Sequence, residues 1–271
     1  MKRVLTALVA LPLLLFATWW SSPYLFVAIA ALALLAALHE FYFIADRAGA
    51  PPFRIVGFVA GAVIIGIAAG VGPQWNALVL AATTVVVMVS TLGRVEDKSR
   101  ILVSAAATML GVLYVATLGS YLVAVRTLAS PPQIAAKLIT MFFAIVMMSD
   151  TAAYYTGRTF GRHKLAPRVS PGKTIEGSIG GLVGSTLGAV AAKYIFFPEL
   201  PLGHALALGA GMGLVGQVGD LVESLLKRGS DVKDAASILP GHGGFLDRLD
   251  SMLLNAPILY AYAVYVFGAK S

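Results

Sequence analysis

A chain of 271 residues that is 58% hydrophobic and only 12% charged, with a mean hydropathy of +0.84, lies far outside the range of a soluble globular domain, whose apolar and charged fractions run near about a half and about a quarter. The composition excludes a soluble enzyme and predicts a polytopic membrane protein. The lack of cysteine excludes disulfides, thiol nucleophiles and cysteine metal sites. The net charge of +7 is read by position along a membrane, and no nucleic-acid partner is expected.

In chain order, Met1-Lys2-Arg3 followed by the apolar run Val4 to Trp20 resembles a signal peptide. No small-x-small cleavage site follows, and Trp19-Trp20-Ser21-Ser22-Pro23 reads as an interfacial anchor and turn, so the run is expected to be a first membrane helix. Further apolar segments of spanning length lie near 24–45, 55–72, 75–92, 101–125, 136–156, 175–197, 203–226 and 249–268. The fold class is therefore all-α, with about nine transmembrane helices. Basic residues concentrate in the connections that an N-in, C-out orientation places in the cytoplasm, leaving Arg126, Lys137, Lys193 and Lys270 outside. The sequence divides into N-terminal helices over 1–135, a scaffold with small-residue faces that permit a homodimer, and a catalytic membrane region over 136–271.

That orientation sends the acids at the helix ends to one face. Asp150 falls late in the sixth helix, Glu176 early in the seventh, Asp220 and Glu223 late in the eighth, and Asp247 and Asp250 early in the ninth. His39 and Glu40 reach the same depth from the second. Ionisable groups near hydrocarbon are costly unless they face protein, water or a ligand. The longest connections, about 157–174 and 227–248, are on the same side, so the second half is expected to build a polar site opening to the cytoplasm.

Several residue groups there can carry chemistry. Asp247 and Asp250 are three apart, about one turn on one face, and suit a hard divalent cation; equally, Asp247 could cap the helix and Asp250 serve its dipole. Asp220, Glu223 and Ser224 form one polar stripe on a glycine-rich helix that neighbours can approach closely, with a salt bridge from Glu223 to Lys227 or Arg228 as the simpler reading. Pro240-Gly241-His242-Gly243-Gly244 can turn backbone N–H groups toward an anion. The loop from Gly157 to Thr174 holds five cations and no acid, and its Ser170-Pro171-Gly172-Lys173-Thr174 turn runs directly into Glu176, which suits phosphate binding without Walker spacing.

The stretch from Ser224 to Asp250 resembles the signature of the phosphatidate cytidylyltransferases, or CDP-diacylglycerol synthases. That signature reads S-x-hydrophobic-K-R, four residues, K-D-x-small, two residues, hydrophobic-P-x-H-G-G-hydrophobic-x-D-R-hydrophobic-D. It is met by Ser224, Leu226-Lys227-Arg228, Lys233-Asp234, Ala236, Leu239-Pro240, His242-Gly243-Gly244-Phe245 and Asp247-Arg248-Leu249-Asp250. Ser149-Asp150-Thr151 with Ala153-Tyr154 and Gly157-Arg158, then Phe160-Gly161, and Ser170 to Gly177, are similar as well, so the resemblance covers roughly 145–268.

The resemblance implies transfer of CMP from CTP to phosphatidate, giving CDP-diacylglycerol and pyrophosphate at a membrane surface. The lipid phosphate is already an anion, so the demand on the protein is charge control rather than a strong base. Asp220, Asp247 and Asp250 are expected to hold magnesium, as a two-cation site, because so many carboxylates would otherwise repel one another. Lys227, Arg228, Lys173, Lys233 and Arg248 are candidate phosphate ligands. Asp150, Ser170, Lys173 and Glu176 would frame the nucleotide, His242, Gly243 and Gly244 a backbone anion pocket, and Ser224 and Asp234 complete the substrate-binding set. Other classes fit less well. A secondary transporter would place its polar residues near the midplane and show a repeat, and a CDP-alcohol phosphotransferase would carry a DG-x2-AR run that is absent here.

Overall fold

The computed structural model describes residues 12–13, 15–19, 22–128, 132–230 and 244–268, without the side chains of 94–97 and 132. Proline after Ser22 suits a helix's first turn, where its missing N–H costs nothing, and α1 runs over Pro23–Arg47. Its Leu34, Leu38, Phe41 and Ala45 recur at three- and four-residue steps and are buried together with Phe26 and Tyr42, while Leu32 on another face is 71% exposed, as a lipid-facing side chain would be. Gly49 at φ +77° turns the chain into α2, Arg54–Gly70. The N–H of Phe53 that precedes it is held by Thr108 Oγ1 at 2.8 Å. Gly72, at φ +87°, and a 3-10 turn over Pro73–Trp75 separate α2 from α3, Asn76–Thr91.

A 3-10 stretch over Leu92–Arg100 leads into α4, Ile101–Gly111. One π-helical passage, Val112–Thr117, joins it to α5, Leu118–Thr127, and together these form one long span. α6 covers Pro132–Phe160, and α7, Ile175–Ile195, packs closely along it. The seam is made of glycines: any side chain at Gly184 or Gly188 would strike the backbone of α6 at Met148 or Ala144. α8 covers Leu202–Gly229, α9 Leu246–Leu253 and α10 Ala256–Phe267.

Seven described segments are long and apolar enough to cross a membrane, with Arg54–Gly70 a shorter apolar helix. The chain is an all-α, multi-pass membrane protein. Eight of the expected helices correspond to described helices, whereas most of the first, Val4 to Trp20, lies outside the described residues.

Two features depart from the sequence expectation. The basic connection 157–174 is not merely a loop: it contains an antiparallel hairpin of β1, Lys164–Ala166, and β2, Ser170–Thr174, with Lys164 opposite Thr174 and Ala166 opposite Ser170. Strands this short carry no alternating apolar pattern to betray them. The ninth segment is broken between α9 and α10, because Pro257 cannot continue a backbone hydrogen-bond ladder. Buried Asn255 stabilises the break, donating from Nδ2 to Met212 O at 2.9 Å and Ser251 O at 2.8 Å.

Buried side chains form two principal clusters along α1. One, near its start, joins Phe26 to Phe142, Phe197 and Leu259. The other, near its end, joins Leu38, Phe41, Tyr42 and Tyr114 to Leu246 and Leu253 of α9. The start of α9 is thus packed on the N-terminal helices, directly beside the acids.

Candidate active site

The end of α6, the hairpin, the start of α7, the end of α8 and the start of α9 bring most of the sequence-nominated residues to one end of the helices. Thr174 begins α7 by accepting the N–H of Gly177 at 3.1 Å, a side-chain cap of the usual kind. Two residues after this cap, Glu176 accepts the N–H groups of Arg162 and His163 at 3.1 and 3.2 Å, and its Oε1 lies 2.6 Å from His163 Nδ1. It thereby ties the hairpin's entry to the helix start. Arg228 Nε donates to Val169 O at 3.4 Å, fastening the other side of the hairpin to α8.

This anchoring brings Lys173 of β2 over α8, where its Nζ pairs with Asp220 Oδ2 at 2.7 Å. Ser224, one turn on, donates weakly to Asp220 Oδ1 at 3.5 Å. Asp220 lies within electrostatic reach of both Asp150 and Asp250, and Lys173 and Arg248 act on Asp150 in turn. Gly219 makes this approach possible, since a side chain there would collide with the carbonyl oxygen of Asp250. Asp150 is exposed, so the group opens to its surroundings on that side.

A second charged group adjoins the first. Lys227 is bound by Glu223 Oε2 at 2.7 Å and by Asp247 Oδ1. The intramembrane pair from Glu223 to Lys227 is therefore present, and Glu223 is only 1% exposed. The other oxygen of Asp247 accepts the N–H of Gly244 at 2.7 Å, reaching back to the chain before α9 as acids in a helix's first turn do. Both Asp247 oxygens, and the Gly244 N–H expected in an anion pocket, have internal partners. Asp250 Oδ1 accepts the N–H of Ser251. Among the described residues, no three Asp, Glu or His side chains stand close enough to share one ion. Ser170 sits in the hairpin opposite Ala166. Lys233, Asp234, His242 and Gly243 lie outside the described residues.

Glu40 has a role that the sequence reading did not give it. From α1 its Oε2 accepts the N–H of Leu246, the first residue of α9, at 2.8 Å, across 206 positions of sequence. It is fully buried, and Gly244 lies so close that any side chain there would run into the carboxylate. A carboxylate at a helix N-terminus satisfies a free N–H and meets the positive end of the dipole. The available signal was an acid beside His39, more than a turn inside a helix whose other charges, Asp46 and Arg47, are at its end; its partner was not legible.

The arrangement defines a class: a helical membrane protein with a carboxylate-rich, lysine- and arginine-balanced site at one end of its spans, suited to handling phosphates. The chain belongs to the cytidylyltransferase family, whose sequence pattern matches residues 1–266. It is similar to the phosphatidate cytidylyltransferase of Bacillus subtilis (strain 168), 44% identical over 125 residues, which is 45% of this chain and 46% of that protein. It is 48% identical over 117 residues to the phosphatidate cytidylyltransferase of Staphylococcus aureus (strain COL), 43% of this chain and 45% of that protein. The similar stretch thus spans a little under half the length of these curated relatives.

Proposed function

We propose that the chain is a phosphatidate cytidylyltransferase. The observation that carries this is the charge inventory at the site. Five carboxylates (Asp150, Asp220, Glu223, Asp247, Asp250) gather with Lys173, Lys227 and Arg248 at one end of the helices. Carboxylate oxygens are the donors magnesium prefers. Two ammonium groups already rest on Asp220 and Asp247, which marks both as places where positive charge is stabilised. Magnesium is commonly held by one or two carboxylates together with substrate phosphates, so one hard cation is assigned to Asp220 and Asp250 with Asp150 beside them, while Asp247, whose oxygens rest on Lys227 and Gly244, would join a second ion only by leaving those partners. When bound, such an ion offsets phosphate repulsion and stabilises the leaving pyrophosphate.

In the reaction, an oxygen of the phosphatidate phosphate forms a bond to the α-phosphorus of CTP while the bond from that phosphorus to the bridging oxygen breaks. The electron pair leaves with pyrophosphate. Lys173, Lys227, Arg228 and Arg248 serve as counter-charges for these phosphates, and the signature positions Lys233, Asp234, His242, Gly243 and Gly244 are proposed as further substrate contacts. Ser170, Glu176 and Asp150 frame the nucleotide, Glu176 through its hold on the hairpin, and Ser224 orients Asp220. Phosphatidate enters from the inner leaflet with its tails in lipid, and CTP arrives from the cytoplasm.

The direct test is purified protein in detergent with labelled CTP, phosphatidate and magnesium. A labelled lipid is expected, and excess EDTA should abolish its formation; full-rate turnover in EDTA would show that the carboxylates have another purpose. Orientation is tested separately at Gly172, which is exposed and has open space where a side chain would go. In a chain without cysteine, Gly172→Cys should resist a membrane-impermeant thiol reagent in intact cells and react in inverted vesicles. The reverse pattern would overturn N-in, C-out and with it the source of CTP.

A further inference from the structure

The N-terminal helices enclose one polar side chain in the π-helical passage that is left without a partner. Thr117 Oγ1 donates to Val112 O, five residues back, at 3.0 Å, and the widened turn buries four successive residues, Tyr114 to Thr117. A regular helix would turn some of these to lipid. Such passages recur at functional sites. Here the one polar aromatic in it, Tyr114, is 7% exposed, and its ring packs against Phe41 in the cluster that holds Leu246 and Leu253. Its hydroxyl is fully enclosed and has no hydrogen-bond partner. Asp250, Glu223 and Asp220 are the charged groups whose field reaches it, Asp250 most strongly.

An enclosed phenol without a partner is costly, and the ring shares its cluster with Leu246 and Leu253, which bracket Asp247 and Asp250 on α9. Magnesium keeps several of its waters when bound by carboxylates, and partners of those waters and ligands influence affinity strongly. We propose that Tyr114 is a positioning residue for the cation site, its hydroxyl hydrogen bonding to the hydration shell of the ion held beside Asp220 and Asp250. This rests on the reading of the acids as a cation site. It assigns to the N-terminal half a part in cation binding that lies outside the signature.

The test measures Mn2+ binding to the purified full chain in detergent, without substrates, by electron paramagnetic resonance, alongside the thermal midpoint of the cation-free protein. Tyr114→Phe keeps the ring and removes only the hydroxyl. It should weaken Mn2+ binding by about tenfold and leave the cation-free midpoint unchanged or raised. Tyr42→Phe is the contrast: that hydroxyl is buried in the same cluster but already donates to Thr108 O at 3.0 Å. It should lower the midpoint and leave Mn2+ affinity alone. Equal Mn2+ affinity in wild type and Tyr114→Phe would overturn the proposal while leaving the cation reading standing. A fall in midpoint matching that of Tyr42→Phe would make Tyr114 merely structural. Absence of Mn2+ binding in the wild type would overturn the cation reading and this proposal together.

Discussion

Asp250→Asn is expected to lower turnover by about a hundredfold or more while the protein remains folded in the membrane. Asparagine keeps the volume and can still accept the N–H of Ser251 that Asp250 holds, so the local helix has no reason to unravel. What is lost is one anionic oxygen from the group where Asp150, Asp220 and Asp250 act on one another, and with it part of the field that, in the proposed mechanism, holds a cation against the reacting phosphates. Asp247→Asn should also abolish turnover, by a different route. It would keep an acceptor for Gly244 N–H but remove the charge that shares Lys227 with Glu223. Asp231→Asn, in the signature stretch but at a position the signature leaves free, should be mild. The readouts are conversion of labelled CTP to lipid and thermal midpoint in detergent. Near wild-type turnover in both Asp250→Asn and Asp247→Asn would defeat the mechanism, and comparable loss in Asp231→Asn would mean that only total loop charge matters.

The largest stability effect is expected at Lys227→Met. Methionine can fill the space of the lysine stem, so packing is largely kept. Two carboxylates, however, lose their shared counter-ion, and one of them, Glu223, is 1% exposed. Removing one partner of a buried ion pair typically costs about 3–5 kcal/mol, because the remaining charge is left uncompensated. Adding Glu223→Gln to Lys227→Met should recover much of the loss by removing the stranded charge, even though no ion pair is restored. A single mutant as stable as wild type, or a double mutant no better than the single, would show that Lys227 is held for catalysis alone.

Much of this was legible in composition and spacing. The span positions follow from hydropathy, and the meeting of Asp150, Asp220 and Asp250 follows from where three helices end on one face. Asp247 and Asp250 were expected to act together because they are three residues apart. Three steps of a helix nevertheless leave two side chains about 60° apart around its axis, enough for neighbours to separate them: Asp247 turns to Lys227 and Gly244, Asp250 toward Asp220. The hairpin between α6 and α7 was hidden because strands of three and five residues have no periodicity to read. The break at Leu254 and Asn255 had a signal in Pro257, which the expectation of one span over 249–268 passed over. Glu40 was visible as an anomaly and nothing more, since a hydrogen bond spanning 206 positions leaves no trace in any window of sequence.

That last contact also sets a clock. Glu40 enters the bilayer early, in α1, and waits for Leu246, which the ribosome adds 206 residues later. At about 5–20 residues per second the interval is on the order of 10–40 s. During it, the nascent protein already carries Asp150, Lys173 and Asp220, but the helix start that presents Asp247 and Asp250 has no seat until its own residues arrive at the waiting carboxylate. The charged centre is therefore completed only when α9 emerges, late in synthesis, with α10 alone among the described helices still to follow.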